Sequence, residues 1–163
     1  MNLVLRPHGT WVIVLSFLFS FMLAIMPLPS WASAWRPDWV AMVLIYWCIA
    51  IPHRVGVATG WTVGIVHDVL NDALLGQHAL TLCIVAFISV KLHLRIRLFP
   101  RLQQAISILG LVIINKLLSA WIYSIFTEFQ ISWSVIFSAI TSMILWPWLF
   151  VILRDMRRTY RVF

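Results

Sequence analysis

Six apolar runs leave this 163-residue chain few folds to choose from; they lie near 10–26, 39–51, 55–71, 79–98, 105–126 and 131–153. A helix needs about 20 apolar residues to cross a bilayer. Inside hydrocarbon every peptide group must find its partner within the protein, so such runs become helices and not open strands. Pro27, Pro29, Pro37, Pro52 and Pro100 fall between the runs, where a helix breaker belongs. The chain is 63% hydrophobic and only 10% charged, too little polar surface to cover a water-soluble domain. The expectation is an all-α integral membrane protein: one polytopic domain over 1–163, a compact bundle of six transmembrane helices with short loops and no separate soluble domain. Cys48 and Cys83 both sit in apolar runs, far apart, and read as small apolar filler, not as a disulfide.

The net charge of +7 suggests nucleic acid until its distribution is read. Arg6, Arg54, Lys91, Arg95, Arg97, Arg101, Arg154, Arg157, Arg158 and Arg161 all fall on one side of the six-run topology. Arg36, Asp38 and Glu128 fall on the other, and Lys116 lies within the fifth run. The positive-inside rule then places both chain ends in the cytoplasm. The basic face meets anionic lipid heads there, with no nucleic acid implied. Trp31, Trp35, Trp39 and Trp133 mark one set of helix ends, and Trp11, Trp146 and Trp148 the other, as an interfacial belt would. A competing reading takes Arg6, the first run and Ala32-Ser33-Ala34 as a cleaved secretory signal; it would leave the remaining topology unchanged.

Gly56, Gly60 and Gly64 recur every four residues in the third helix, and Asp68 and Asp72 continue the spacing along one face. Without side-chain bulk, glycine lets another backbone come close. The stripe is therefore either a seam for a partner or ordinary packing within the bundle. Ser134, Ser138 and Ser142 form a similar stripe on the sixth helix, and Ser16, Ser20 and Ala24 on the first. Lys116 lies near the middle of the fifth helix, where a lysine costs roughly 2.5–3.5 kcal/mol on insertion scales. Asp68, about 18 Å along its helix at 1.5 Å per residue, is the acidic residue nearest in depth. Pairing of Lys116 with Asp68, with Asn115 and Ser119 completing a polar patch, stands against a lysine that snorkels without a fixed partner. His67, Asp68, Asp72 and His78 lack metal-ligand spacing, since adjacent residues on a helix diverge by about 100°. No HExxH, GxSxG, P-loop or dinucleotide fingerprint occurs. The expectation is a protein that is not an enzyme and takes no metal or cofactor. Pro147, between Trp146 and Trp148, should kink the last helix.

An ordered set of short features follows the whole chain. They are Arg36-Pro37-Asp38-Trp39, Tyr46-Trp47 followed by Pro52-His53-Arg54, Gly60…Gly64…Asp68 with Gly76 beyond, and Leu145-Trp146-Pro147-Trp148. In these the chain resembles the rod shape-determining MreD family of the gram-negative type. The resemblance implies a non-enzymatic scaffold subunit of the cell-elongation machinery. It implies binding to the single-pass protein MreC and, through it, to the MreB filament, the RodA glycosyltransferase and its transpeptidase in lateral peptidoglycan synthesis. It also implies a fold like the substrate-binding subunits of energy-coupling factor transporters, with a potential cavity. Self-association through the glycine seam would suit the same residues. A second function stays open beside this one: a small-solute binding or transport subunit that uses Lys116 and Asp68 in a polar intramembrane cavity.

Overall fold

A computed structural model describes residues 9–126 and 133–162. Among them all regular structure is helical: α1 (Thr10–Ile25), the single turn α2 (Ser30–Ser33), α3 (Trp39–Ala50), α4 (Val57–Leu70), α5 (Gln77–Leu98), α6 (Arg101–Ser124) and α7 (Ser134–Thr159). Arg6 and Glu128 lie outside the described residues, as does the expected start of the last helix at 131. α5, α6 and α7 run 22, 24 and 26 residues and are long and apolar enough to cross a membrane. α1, α3 and α4 are apolar but shorter, at 16, 12 and 14 residues.

The shortest of these helices is the centre of the bundle. α3 has the sequence WVAMVLIYWCIA, apolar on every side, and every residue from Val40 to Ile49 is buried. A helix that is hydrophobic all round belongs inside. It packs against α1, α5, α6 and α7. The indole of Trp47 donates to Ser16 Oγ on α1 at 2.8 Å, so the serine face of α1 looks inward to α3. Sheathed by protein, α3 need not match the thickness of a bilayer.

The outer helices present apolar side chains outward. Leu18, Phe19 and Met22 on α1, Leu80, Phe87 and Leu94 on α5, and Ile144, Trp148 and Ile152 on α7 are all exposed. Such faces suit lipid and not water. Trp11, Trp31, Trp35 and Trp133 are exposed near helix ends, as a belt requires, whereas Trp148 is exposed well inside α7. Trp146 departs from the expected belt: it is only 1% exposed, because it turns toward α3 while Trp148 turns outward.

Helix bounds differ from the hydropathy reading where polar chemistry extends or starts a helix. α6 begins at Arg101, directly after Pro100, because arginine and glutamine are good helix formers whatever their hydropathy. α7 carries on through Arg154, Arg157 and Arg158 for the same reason, and Pro147 lies inside it. At the far end of α7 Tyr160 meets the Trp11 ring edge-on at 4.8 Å. The beginning of α1 and the end of α7 therefore share one end of the bundle, together with Arg54, Arg97 and Arg101.

Candidate functional site

At the opposite end, Arg36-Pro37-Asp38 joins four helices. Proline cannot continue a helix, so this tripeptide must run in the open link between α2 and α3. The Arg36 guanidinium donates to the carbonyls of Ala24 and Met26, which close the C-terminal end of α1. A cation suits that end of a helix. Asp38 is the N-cap of α3, its Oδ1 accepting from Ala41 N at 3.3 Å. Its Oδ2 accepts from Asn115 Nδ2 at 2.7 Å and lies 3.6 Å from Lys116 Nζ, both on α6. The backbone of the same tripeptide holds α7. Ser138 Oγ donates to Arg36 O at 2.7 Å, and Asp38 N donates to Ser142 Oγ at 3.0 Å. Ser142 in turn donates to Ser138 O.

A second carboxylate clasps α4 to α5. Asp68 is fully buried in the last turn of α4. Its Oδ1 accepts from His78 N at 2.9 Å and lies 2.8 Å from His78 Nδ1; its Oδ2 accepts from Gly76 N at 2.9 Å and Ala79 N at 3.3 Å. These are the unsatisfied amides at the start of α5, and a carboxylate is the natural partner for them. Gly76 takes φ +97, a left-handed turn that brings its N–H back to Asp68. Gln77 Nε2 extends the cluster to Ser119 on α6, donating to its Oγ at 2.9 Å and to its carbonyl at 3.1 Å.

Between the two clasps opens a cavity of about 800 Å³. Arg36, Asp38, His67, Gln77, His78 and Lys116 are among the residues lining it, as is Ser134. Among the described residues no three His, Cys, Asp or Glu side chains converge as a metal site. Arg36 Nε and Asn115 Oδ1 are buried without hydrogen-bond partners among the described residues.

The expected pairing of Lys116 with Asp68 is corrected. Lys116 meets Asp38 instead, while Asp68 is engaged by His78 and the first amides of α5. Depth along the helices could not separate the two carboxylates, since both lie at the same end of the bundle. Direction decides: Asp68 faces α5, whereas Asn115 and Lys116 face α3. Asp38 looked like an interfacial loop residue and is 8% exposed.

The glycine stripe is corrected at one position. A Cβ on Gly64 would lie 2.3 Å from Ala79 Cα, and one on Gly60 would lie 2.8 Å from the Leu82 carbonyl oxygen. These two form the α4–α5 contact within the chain. Gly56 stands outside that seam, as the N-cap of α4 with open space around it. Of the serine stripe, Ser138 and Ser142 enter the Asp38 hub, and Ser134 lines the cavity. Gln77 was missed by the sequence reading, which weighed His78 only as a metal ligand and not as a partner that fixes Asp68. The available signal was a glycine turn followed at once by polar residues that open an apolar helix.

The family model described as "MreD: rod shape-determining protein MreD" matches residues 5–156. A rod shape-determining protein MreD of Haemophilus influenzae (strain ATCC 51907 / DSM 11121 / KW20 / Rd) is 32% identical over 154 residues, covering 93% of this chain and 94% of the relative. No solved structure matches the chain. The motif residues of the hub and of the clasp all fall inside the matched region. The chain belongs to the MreD family of membrane proteins, whose name ties it to the determination of rod shape.

Proposed function

We propose that this chain is a non-enzymatic scaffold of the cell-elongation machinery, spanning the inner membrane six times with both ends in the cytoplasm. In this reading it binds the single transmembrane segment of an MreC-type protein. Through that partner it couples to the MreB filament, the RodA glycosyltransferase and its transpeptidase, and so supports lateral peptidoglycan synthesis. The observation that carries the reading, beside family membership, is how the acids are used. Asp38 and Asp68 are both spent on fixing helices to one another. Such groups serve a rigid surface better than a reaction. The start of α1 beside the end of α7 supports an even number of crossings, and the ten clustered basic residues support the orientation. Three short helices remain compatible with six spans: α3 covers about 18 Å at 1.5 Å per residue, but it is enclosed by protein.

The test is purification from the native membrane in mild detergent, with identification of the proteins retained. A bitopic partner recovered at fixed ratio is the expected outcome. Recovery of the chain with no bitopic partner, at normal expression, overturns the scaffold reading.

The cavity of about 800 Å³ favours a second reading, a solute-binding subunit resembling those of energy-coupling factor transporters. Lys116, with its side chain 35% exposed, and the unpartnered Arg36 Nε and Asn115 Oδ1 would then meet the solute. A small molecule that co-purifies and is lost in Lys116→Met would favour this reading over the scaffold.

A further inference from the structure

The basic end of the bundle contains a second, much smaller cavity of about 70 Å³ between α3, α5, α6 and α7. Its wall has a consistent chemistry. Trp146, Phe150, Arg154 and Arg157 line it from α7, at spacings of four, four and three residues that share one helix face. Arg97 joins from the end of α5, Gln104 from the first turn of α6, and Tyr46 from α3. Three guanidinium groups thus share a small space, and among the described residues no carboxylate lines it. Two of them have partial protein partners: Arg157 Nη1 lies 3.4 Å from the Ala50 carbonyl at the end of α3, and Arg154 Nε lies 3.3 Å from exposed Asp155. Neither contact neutralises the cluster.

A second feature is independent of the arginines. Trp146 is 1% exposed, and its indole N–H has no hydrogen-bond partner among the described residues. A buried donor left unmet costs free energy, and indole can only donate. The residue with this unmet N–H lines the same space as three arginines, and a space so lined suits an oxyanion. The volume equals roughly two waters at about 30 Å³ each, room for one tetrahedral group and not for a sugar or a peptide. Arginine forks match the oxygens of phosphate, and at the boundary of a bilayer phosphate is the abundant anion.

We propose that this pocket binds one phosphate group, held by Arg97, Arg154, Arg157 and the Trp146 indole. Bound there, the group would satisfy the indole, relieve repulsion among the arginines and tie α7 to the ends of α3 and α5. Diffuse attraction of a basic face for anionic lipid would need none of this geometry.

The experiment uses the full chain in nanodiscs of phosphatidylcholine, read by thermal unfolding and by native mass spectrometry. Phosphatidylglycerol is titrated into the discs in one arm; inorganic phosphate, at constant ionic strength, is added to phosphatidylcholine discs in the other. Stabilisation by phosphatidylglycerol alone, with one tightly retained lipid, identifies a lipid headgroup as the source. Stabilisation by inorganic phosphate identifies a free anion. No stabilisation in either arm overturns the proposal. Arg97→Gln and Trp146→Phe should each weaken binding about tenfold, the factor for one lost hydrogen bond to a charged group. Arg158→Gln removes the same charge from an exposed residue outside the pocket and should change binding less than about twofold. An equal loss in Arg158→Gln and Arg97→Gln means diffuse surface attraction and also overturns it. Should Trp146→Phe fail to fold in phosphatidylcholine alone, the exposed Arg97 carries the comparison by itself.

Discussion

The end of the bundle that holds Arg36, Asp38 and Asp68 treats charge in the opposite way from the end that holds Arg97, Arg154 and Arg158. At the first end Asp38 and Asp68 are buried and engaged, each aimed at the start of a helix, while Asp72 is exposed. Asp38 caps its own helix and receives two side chains of α6; Asp68 caps a neighbour. At the second end arginine is abundant, mostly at the surface, and the contact of Arg154 with Asp155 is itself exposed. Buried charges in apolar surroundings are expensive unless paired, so where they occur they dictate which helices meet. Surface charges cost little and dictate little within the fold. Their work is done against the membrane, where they set orientation. The two ends therefore answer different questions: one specifies the packing, the other the placement.

The sharpest way to break the comparison is to disturb the packing next to the acid-bearing end. Gly64→Leu must push a side chain into the Ala79 backbone, and no rotamer avoids a Cβ at 2.3 Å. Loss of folded protein is expected, measured as recovery of monodisperse chain in detergent, whereas Gly56→Ala should be recovered normally. Asp68→Ala is next. It strands several amides of α5 and His78, and removal of one partner from a buried charged network costs about 3–5 kcal/mol. Unfolding by denaturant in mixed micelles would read this out, and a loss below about 1 kcal/mol would mean that the clasp does not organise the hairpin.

A double-mutant cycle sharpens the comparison further. Asp38→Asn and Lys116→Met should couple by about 0.5–3 kcal/mol, because the two residues share one network. Asp68→Asn and Lys116→Met should be additive to within about 0.5 kcal/mol. Coupling of the second pair and not the first would return Lys116 to Asp68. Ser142→Ala removes one hydroxyl from the hub, and interhelical hydrogen bonds in membranes average about 0.6 kcal/mol, so a small loss of that order is expected in the same assay. The smallest effect belongs to the other end. Arg158→Gln should change stability by less than about 0.5 kcal/mol. Replacing Arg95, Arg97 and Arg101 together, by contrast, should scramble the orientation of a reporter fused to the C-terminus without unfolding the chain.

Much of this was legible residue by residue. Alternating apolar runs and prolines located all six principal helices, and their ends were missed mainly where polar residues prolong a helix, as at Arg101–Gln104 and Arg154–Arg158. The small residues at Gly60 and Gly64 announced a close approach, and so did Ser138 and Ser142. Their partners were not announced. The glycines touch α5, and the serines touch the backbone of Arg36 and Asp38, contacts that join positions 102 and 104 residues apart. Lys116 was marked as needing an acid, but the chain offers two at similar depth. His78 was weighed only as a metal ligand, because a histidine in a short polar link shows no helix contact until the link is seen to fold back on Asp68.

Hydropathy, charge order and motif order are properties of the chain written in a line, and they determined a helical membrane protein of the MreD family and its distribution of basic residues. Which carboxylate met which cation, which glycine lay in a seam, and that Trp146 would turn inward while Trp148 turned out were decided by the tertiary structure alone. The physical reason is directional. Partition into lipid depends on the sum of transfer free energies along a segment, which any order of neighbours preserves. A hydrogen bond or a backbone contact depends on the azimuth of one residue about its helix axis and on which helix stands opposite. That second quantity exists only once the helices have packed around α3.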